Sequence, residues 1–108
     1  MVDSNVLFSG LLYPGKPSEV LKLLGRRRLR LLIPADELDE IRTVFRRKVS
    51  YKEYLLDGFL KLVNARIIPA KRYRGFIPSA VELIKDKKDA PILACALAVK
   101  PDYFITGD

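Results

Sequence analysis

Short apolar runs alternate with helix-like stretches along the whole chain, and that alternation limits what it can fold into. Proline and glycine punctuate it strongly, with no internal repeat and no long linker, so an α/β fold is expected. The first strand is short, little more than Met1-Val2-Asp3, and a helix through Val6, Leu7, Phe8, Leu11 and Leu12 ends at Pro14-Gly15. Ser18 is placed to cap a helix over residues 19–24, with Gly25 as its C-terminal stop and a strand over residues 29–33 to follow. Pro34 stops that strand and Asp36 is placed as a cap. Leu38, Ile41, Phe45 and Val49 recur at helical spacing, which predicts a helix over about residues 36–48. Tyr51, Tyr54, Leu55, Phe59, Leu62 and Val63 mark another helix, and Arg66-Ile67-Ile68 a short strand. Lys71 to Arg74 reads as a basic loop with no core role, and Ser79 as the cap of a helix over residues 81–84. Asp89 precedes Ala90-Pro91; since proline is tolerated in a first helical turn, the apolar residues 92–99 should form a buried helix. Tyr103-Phe104-Ile105 supplies the last strand, leading into Thr106-Gly107-Asp108.

With 108 residues the chain is expected to be one domain, 1–108, able to bury a core without disulfide or structural metal. It contains no histidine, which excludes a Ser-His-Asp triad, a Cys-His dyad and every His-containing zinc site. Proton and metal chemistry must therefore run on carboxylates. The single cysteine, Cys95, lies in an apolar run and reads as a small buried core residue, in keeping with a reducing cytoplasm. No basic segment followed by an apolar stretch opens the chain, and no run approaches the roughly 18 apolar residues of a membrane span. A soluble cytoplasmic protein with no membrane partner is expected. The net charge of +7 suits a polyanionic partner. The absence of Gln, with Asn only at 5 and 64 and 31% charged residues, matches the composition of thermophile proteins.

In a parallel open sheet the carboxyl ends of the strands and the amino ends of the following helices share one edge, where such folds place their sites. Four acids fall there. Asp3 closes the first strand, Glu40 projects from the first turns of the helix after the second, Asp89 stands at the mouth of the buried helix, and Asp108 closes the last strand. Such a group repels itself unless something positive sits among it, and a divalent cation, Mg²⁺ or Mn²⁺, suits an all-oxygen ligand set. Each acid also has a plainer role taken singly. Asp89 suits a helix N-cap, Glu40 a solvated helix face, and Asp3 or Asp108 an Asx turn. Asp36, Glu37 and Asp39 suit the positive end of their helix.

These residues resemble the PIN-domain nuclease family over nearly the whole chain. Val2-Asp3-Ser4-Asn5-Val6-Leu7 is similar to its opening Asp-Ser/Thr-Asn-hydrophobic motif, and Leu38-Asp39-Glu40-Ile41 with Val44 and Phe45 resembles the helix that carries its glutamate. Asp86 to Leu93, then Asp102 to Asp108, is similar to its Asp-helix-strand-Thr-Gly-Asp ending. The resemblance implies a three-layer α/β/α PIN-like fold with a central parallel sheet, a short first strand and a missing C-terminal strand. It implies a metal-dependent endoribonuclease that hydrolyses RNA phosphodiester bonds with Mg²⁺ or Mn²⁺. Asp3, Glu40, Asp89 and Asp108 would be the catalytic, metal-binding quartet, supported by Asn5 and Thr106. The family includes the toxins of prokaryotic toxin–antitoxin pairs, so an antitoxin protein joins RNA among the expected partners. Family members usually continue past Thr-Gly-Asp, and a bare sheet edge there predicts a homodimer paired through it.

Committing four of the 13 acids to a site leaves a larger positive surplus elsewhere. Arg26, Arg27 and Arg28, with Lys71, Arg72 and Arg74, are candidates to hold RNA phosphates, and Tyr73 to stack on an unpaired base. Arg30 and the Arg46-Arg47-Lys48 run belong to the same basic class, Lys87 and Lys88 sit between two of the acids, and all of these charges equally suit plain solvation. The rival reading is a catalytically inactive PIN-like module that binds RNA or a protein partner. A receiver-like phosphoacceptor domain lacks its paired acids after the first strand and its lysine after the last.

Overall fold

Residues 1–3 run extended and pair in parallel with residues 103–105 in the computed structural model, which describes residues 1–26 and 29–105. The pairing is a single bridge, Val2 with Ile105. Asp3 N–H donates to the Ile105 carbonyl and Ile105 N–H to the Met1 carbonyl, both at 2.9 Å. The chain continues through α1 (Ser4–Leu12), α2 (Lys16–Arg26), β1 (Leu32–Pro34), α3 (Ala35–Val49), α4 (Glu53–Leu62), β2 (Arg66–Ile68), α5 (Ala70–Tyr73), α6 (Ile77–Leu83) and α7 (Ala90–Val99). β1 and β2 form a parallel pair with Ile33 opposite Ile67. The chain thus has a mostly helical α/β fold around short parallel strands.

Successive residues of an extended chain face opposite ways, and here they divide two cores. Val2 and Ile33 join a core built with α1–α4, including Leu7, Leu21, Leu38, Ile41, Phe45, Leu56 and Phe59. Met1 and Ile68 join a second with Tyr73, Ala80, Ala90, Ala94 and Cys95 from α5–α7, and Leu32 packs against it. Helices therefore cover both faces of the strands, as the α/β/α expectation requires. On the first face Phe8 meets Phe45 edge-on, with ring centroids 5.2 Å apart. α1 lies close on α2 because position 10 is glycine. A Cβ there would stand 2.6 Å from Leu21 Cδ1 and 2.9 Å from the Pro17 carbonyl oxygen.

Several boundaries differ from the expected ones. α2 starts at Lys16, before Ser18, because Pro17 lies in the first turn, where no N–H is needed. Gly25 lies inside α2 and faces Leu62 instead of ending the helix. Pro34 takes the N-cap position of α3, so Asp36 falls in its first turn and does not cap. Ser79 likewise sits inside α6, which begins at Ile77 with Pro78 in its first turn. The expected helix through Tyr51 starts only at Glu53, after a 3-10 turn over Ser50–Lys52, leaving Tyr51 and Tyr54 exposed. The largest correction is the basic segment after β2. It is helical, α5 followed by a 3-10 turn over Arg74–Phe76, and Tyr73 is fully buried. None of the described helices is long and apolar enough to cross a membrane.

Candidate active site

The position of Asp3 is fixed from both sides. Its backbone is held by the bridge to Ile105, and its side chain caps α1, with Oδ1 accepting from Asn5 N–H at 3.0 Å. Its plainer role as a turn-and-cap residue is therefore real. The side chain of Asn5 is exposed, and its backbone is what supports Asp3. Asp89 is set at the N-cap position of α7 by a 3-10 turn over Lys87–Asp89. That turn is closed by Asp86, whose Oδ1 accepts from Lys88 N–H at 3.0 Å. Glu40 lies in the second turn of α3 and is exposed.

A cavity of about 270 Å³ brings these segments together: Asp3, Asp36, Glu37, Glu40 and Asp89 all line it, with Lys88 as the one basic side chain among the described residues. Three of the four expected acids thus face one space. The fourth, Asp108, lies outside the described residues, as do Thr106, Arg27 and Arg28. Among the described residues no three Asp, Glu or Cys side chains stand close enough to share one ion. A larger cavity of about 600 Å³ is lined chiefly by apolar residues such as Val20, Leu24, Leu29 and Leu31. Among the described residues its only acid is Asp102, so its size does not mark the chemistry.

Sequence reasoning missed the most unusual member of the acidic cavity, Glu37. It is 5% exposed, and both carboxyl oxygens lack a hydrogen-bond partner among the described residues. Burial, then the charges of Asp3 and Glu40, push its pKa up to about 8, against a smaller opposing effect of the amino terminus. The signal was in the helix: 37, 41 and 45 are four residues apart, so Glu37 shares the inward stripe of Ile41 and Phe45. Asp36, its neighbour, has the opposite fate. It is exposed, and its Oδ2 accepts from the Tyr73 hydroxyl at 2.9 Å.

That bond removes Tyr73 from any base-stacking role. The ring lies in the core, and its hydroxyl also accepts from Asp36 N–H, one of the orphan donors at the start of α3. Burial is the main reason its phenol is pushed up to about 12. Arg26, Lys71, Arg72 and Arg74 are exposed, with the last three flanking the buried ring in sequence. Arg46, by contrast, is engaged by Glu53 at 2.7 Å, and Arg42 by Asp57 at 2.8 Å. Cys95 is buried as expected, and burial first, then the charge of Glu37, pushes its thiol up to about 11.

Comparison with known proteins adds one finding. The family model described as PIN domain matches residues 1–108. No curated protein and no solved structure matches the chain.

Proposed function

Because the chain belongs to the PIN-domain family, whose members are generally nucleases, we propose that it is a metal-dependent endoribonuclease hydrolysing RNA phosphodiester bonds. Mg²⁺ or Mn²⁺ would be held by Asp3, Glu40, Asp89 and Asp108. The observation that carries this reading is the single cavity into which residue 3, the start of α3 and the start of α7 deliver their carboxylates. The donor set fits such an ion. It offers only hard carboxylate oxygens, and two of them, on Glu37, are buried without a partner. A magnesium-like ion keeps several waters and needs only one or two carboxylates directly, so it does not require three side chains within common reach.

When bound, the ion supplies activation of a water and neutralisation of charge developing on a phosphate oxygen. Asp3 supplies a carboxylate anchored by both the bridge to Ile105 and the cap of α1. Lys88, at the same cavity, offers a positive charge to the scissile phosphate. Arg26, Lys71, Arg72 and Arg74 draw in the RNA backbone from outside the acid group; Tyr73 has no part in it. In cells the reading places the protein in the cytoplasm, with an antitoxin protein as the inhibitor of a toxin and a second copy of the chain as a partner. Light scattering at micromolar concentration tests the dimer, and a monomeric mass removes it.

Cleavage of a labelled RNA panel with Mn²⁺ tests the central claim. Wild-type protein should cut and chelator should stop it. Asp3→Asn should abolish cutting without unfolding the protein, because Asn caps a helix as well as Asp does. An intact RNA panel, or an Asp3→Asn protein that cuts as wild type, sinks the enzyme. A second reading, an inactive RNA- or protein-binding module, is favoured by one observation: no three described acids are close enough to share an ion. It predicts RNA binding that falls with salt and ignores chelator.

A further inference from the structure

We propose that Glu37 is a fifth acid of this cation site, one that holds the ion from inside the fold. The inference rests on the reading of the cavity as a divalent-cation site and adds to it a residue that no motif pointed to. Glu37 lines the same cavity as Asp3, Glu40 and Asp89. It is the only buried residue among those described whose side-chain polar atoms lack any partner. Burying a carboxyl group unpaired is unfavourable, and native structures rarely leave such a group without a use.

The contrast with Asp36 sharpens the point. One residue earlier on the same helix, that acid sits at the surface, where water would suffice, and still receives the Tyr73 hydroxyl. Glu37 instead shares the stripe of Ile41 and Phe45, and no described group donates a hydrogen bond to it. Its neighbours in charge are Asp3 and Glu40, which repel it, and the amino terminus, whose opposing effect is the smallest of the three and which donates to the Tyr103 carbonyl. Lys88 lines the same cavity but forms no ion pair with it among the described residues. A small divalent cation would supply what the amino terminus does not, positive charge offered directly to these hard oxygen atoms.

Mn²⁺ binding is the test, read by the paramagnetic resonance of free ion and by the rise in melting temperature that Mn²⁺ produces. Wild type, Asp3→Asn and Glu37→Gln are compared at pH 7. Glu37→Gln keeps the shape of the side chain and removes its charge, so its affinity should fall roughly 10–100-fold and its Mn²⁺-induced melting shift, taken from its own ion-free melting temperature, should shrink. If wild type binds, Asp3→Asn does not, and Glu37→Gln binds as tightly as wild type, Glu37 is no part of the site and the remaining acids keep their role. If wild type binds no Mn²⁺, the cation reading itself fails and takes this inference with it. Should Glu37→Gln not fold, Glu37→Met, an apolar side chain of similar length, is judged by the same criteria.

Discussion

The two faces of the strands are packed in different ways. Against α1–α4 the core is made of large side chains, with Phe45, Leu56 and Leu7 fully buried. Against α5–α7 it is made of small ones, Ala80, Ala90, Ala94 and Cys95, around the single large ring of Tyr73. Large residues keep helices apart and small residues let them approach. Side-chain size thus makes the first the thick face and the second, where α7 packs on α5, α6, β1 and α3, the thin one. The acidic cavity opens where the two meet, with Glu37 and Glu40 brought by the thick side and Asp89 by the thin one.

Truncating the thick face should do the most damage. Phe45→Ala removes a fully buried ring and its edge contact with Phe8, and should lower stability by about 3–5 kcal/mol in urea unfolding. A loss below about 1 kcal/mol would mean that this face is not packed as described.

At the seam, the expected effect is on pH dependence. Glu37 titrates near 8 when folded and near the ordinary 4.5 when unfolded, so between those values the unfolded chain binds fewer protons. Its contribution to stability is therefore complete below about pH 4.5 and is lost as the pH rises to about 8, by up to about 1.4 kcal/mol per pH unit. Asp3, Glu40, the amino terminus and Cys95 are the groups that act on it or feel its charge. Urea unfolding in chelator should show this decline for wild type and a flatter curve for Glu37→Gln; parallel curves would contradict it.

The thin face should fail in the opposite sense, by filling. Ala94→Leu forces extra methyl groups into a site with no exposure and should lower stability by about 1–3 kcal/mol. If the substitution is neutral or stabilising, the close approach of α7 is looser than the contacts imply.

Much of this was legible because the governing signals are local. Leu38, Ile41 and Phe45 announced α3 through their spacing, and β2 occupies the three residues that read as a strand. Asp3, Glu40 and Asp89 were expected at one edge from their places beside strand ends and helix starts, and they line one cavity. What escaped depended on longer-range packing. α5 is only four residues long, too short for a period to reveal that Tyr73 faces inward. Gly25 is kept inside α2, where it meets Leu62 from a distant helix. Glu37 lay on the apolar stripe, but an acid in a first helical turn already has a sufficient local explanation in the helix dipole.

The bridge between residues 3 and 105 has a consequence for how the protein is born. Asp3 and Ile105 are held together across a sequence separation of 102 residues. A ribosome adding roughly 5–20 residues per second leaves the first segment without its mate for roughly 5–20 s. Throughout that interval α1 and α2 can already pack, but the backbone of Asp3 has nothing to lock it. The carboxylate of Asp3 therefore comes to its place at the cavity only after residue 105 has been made.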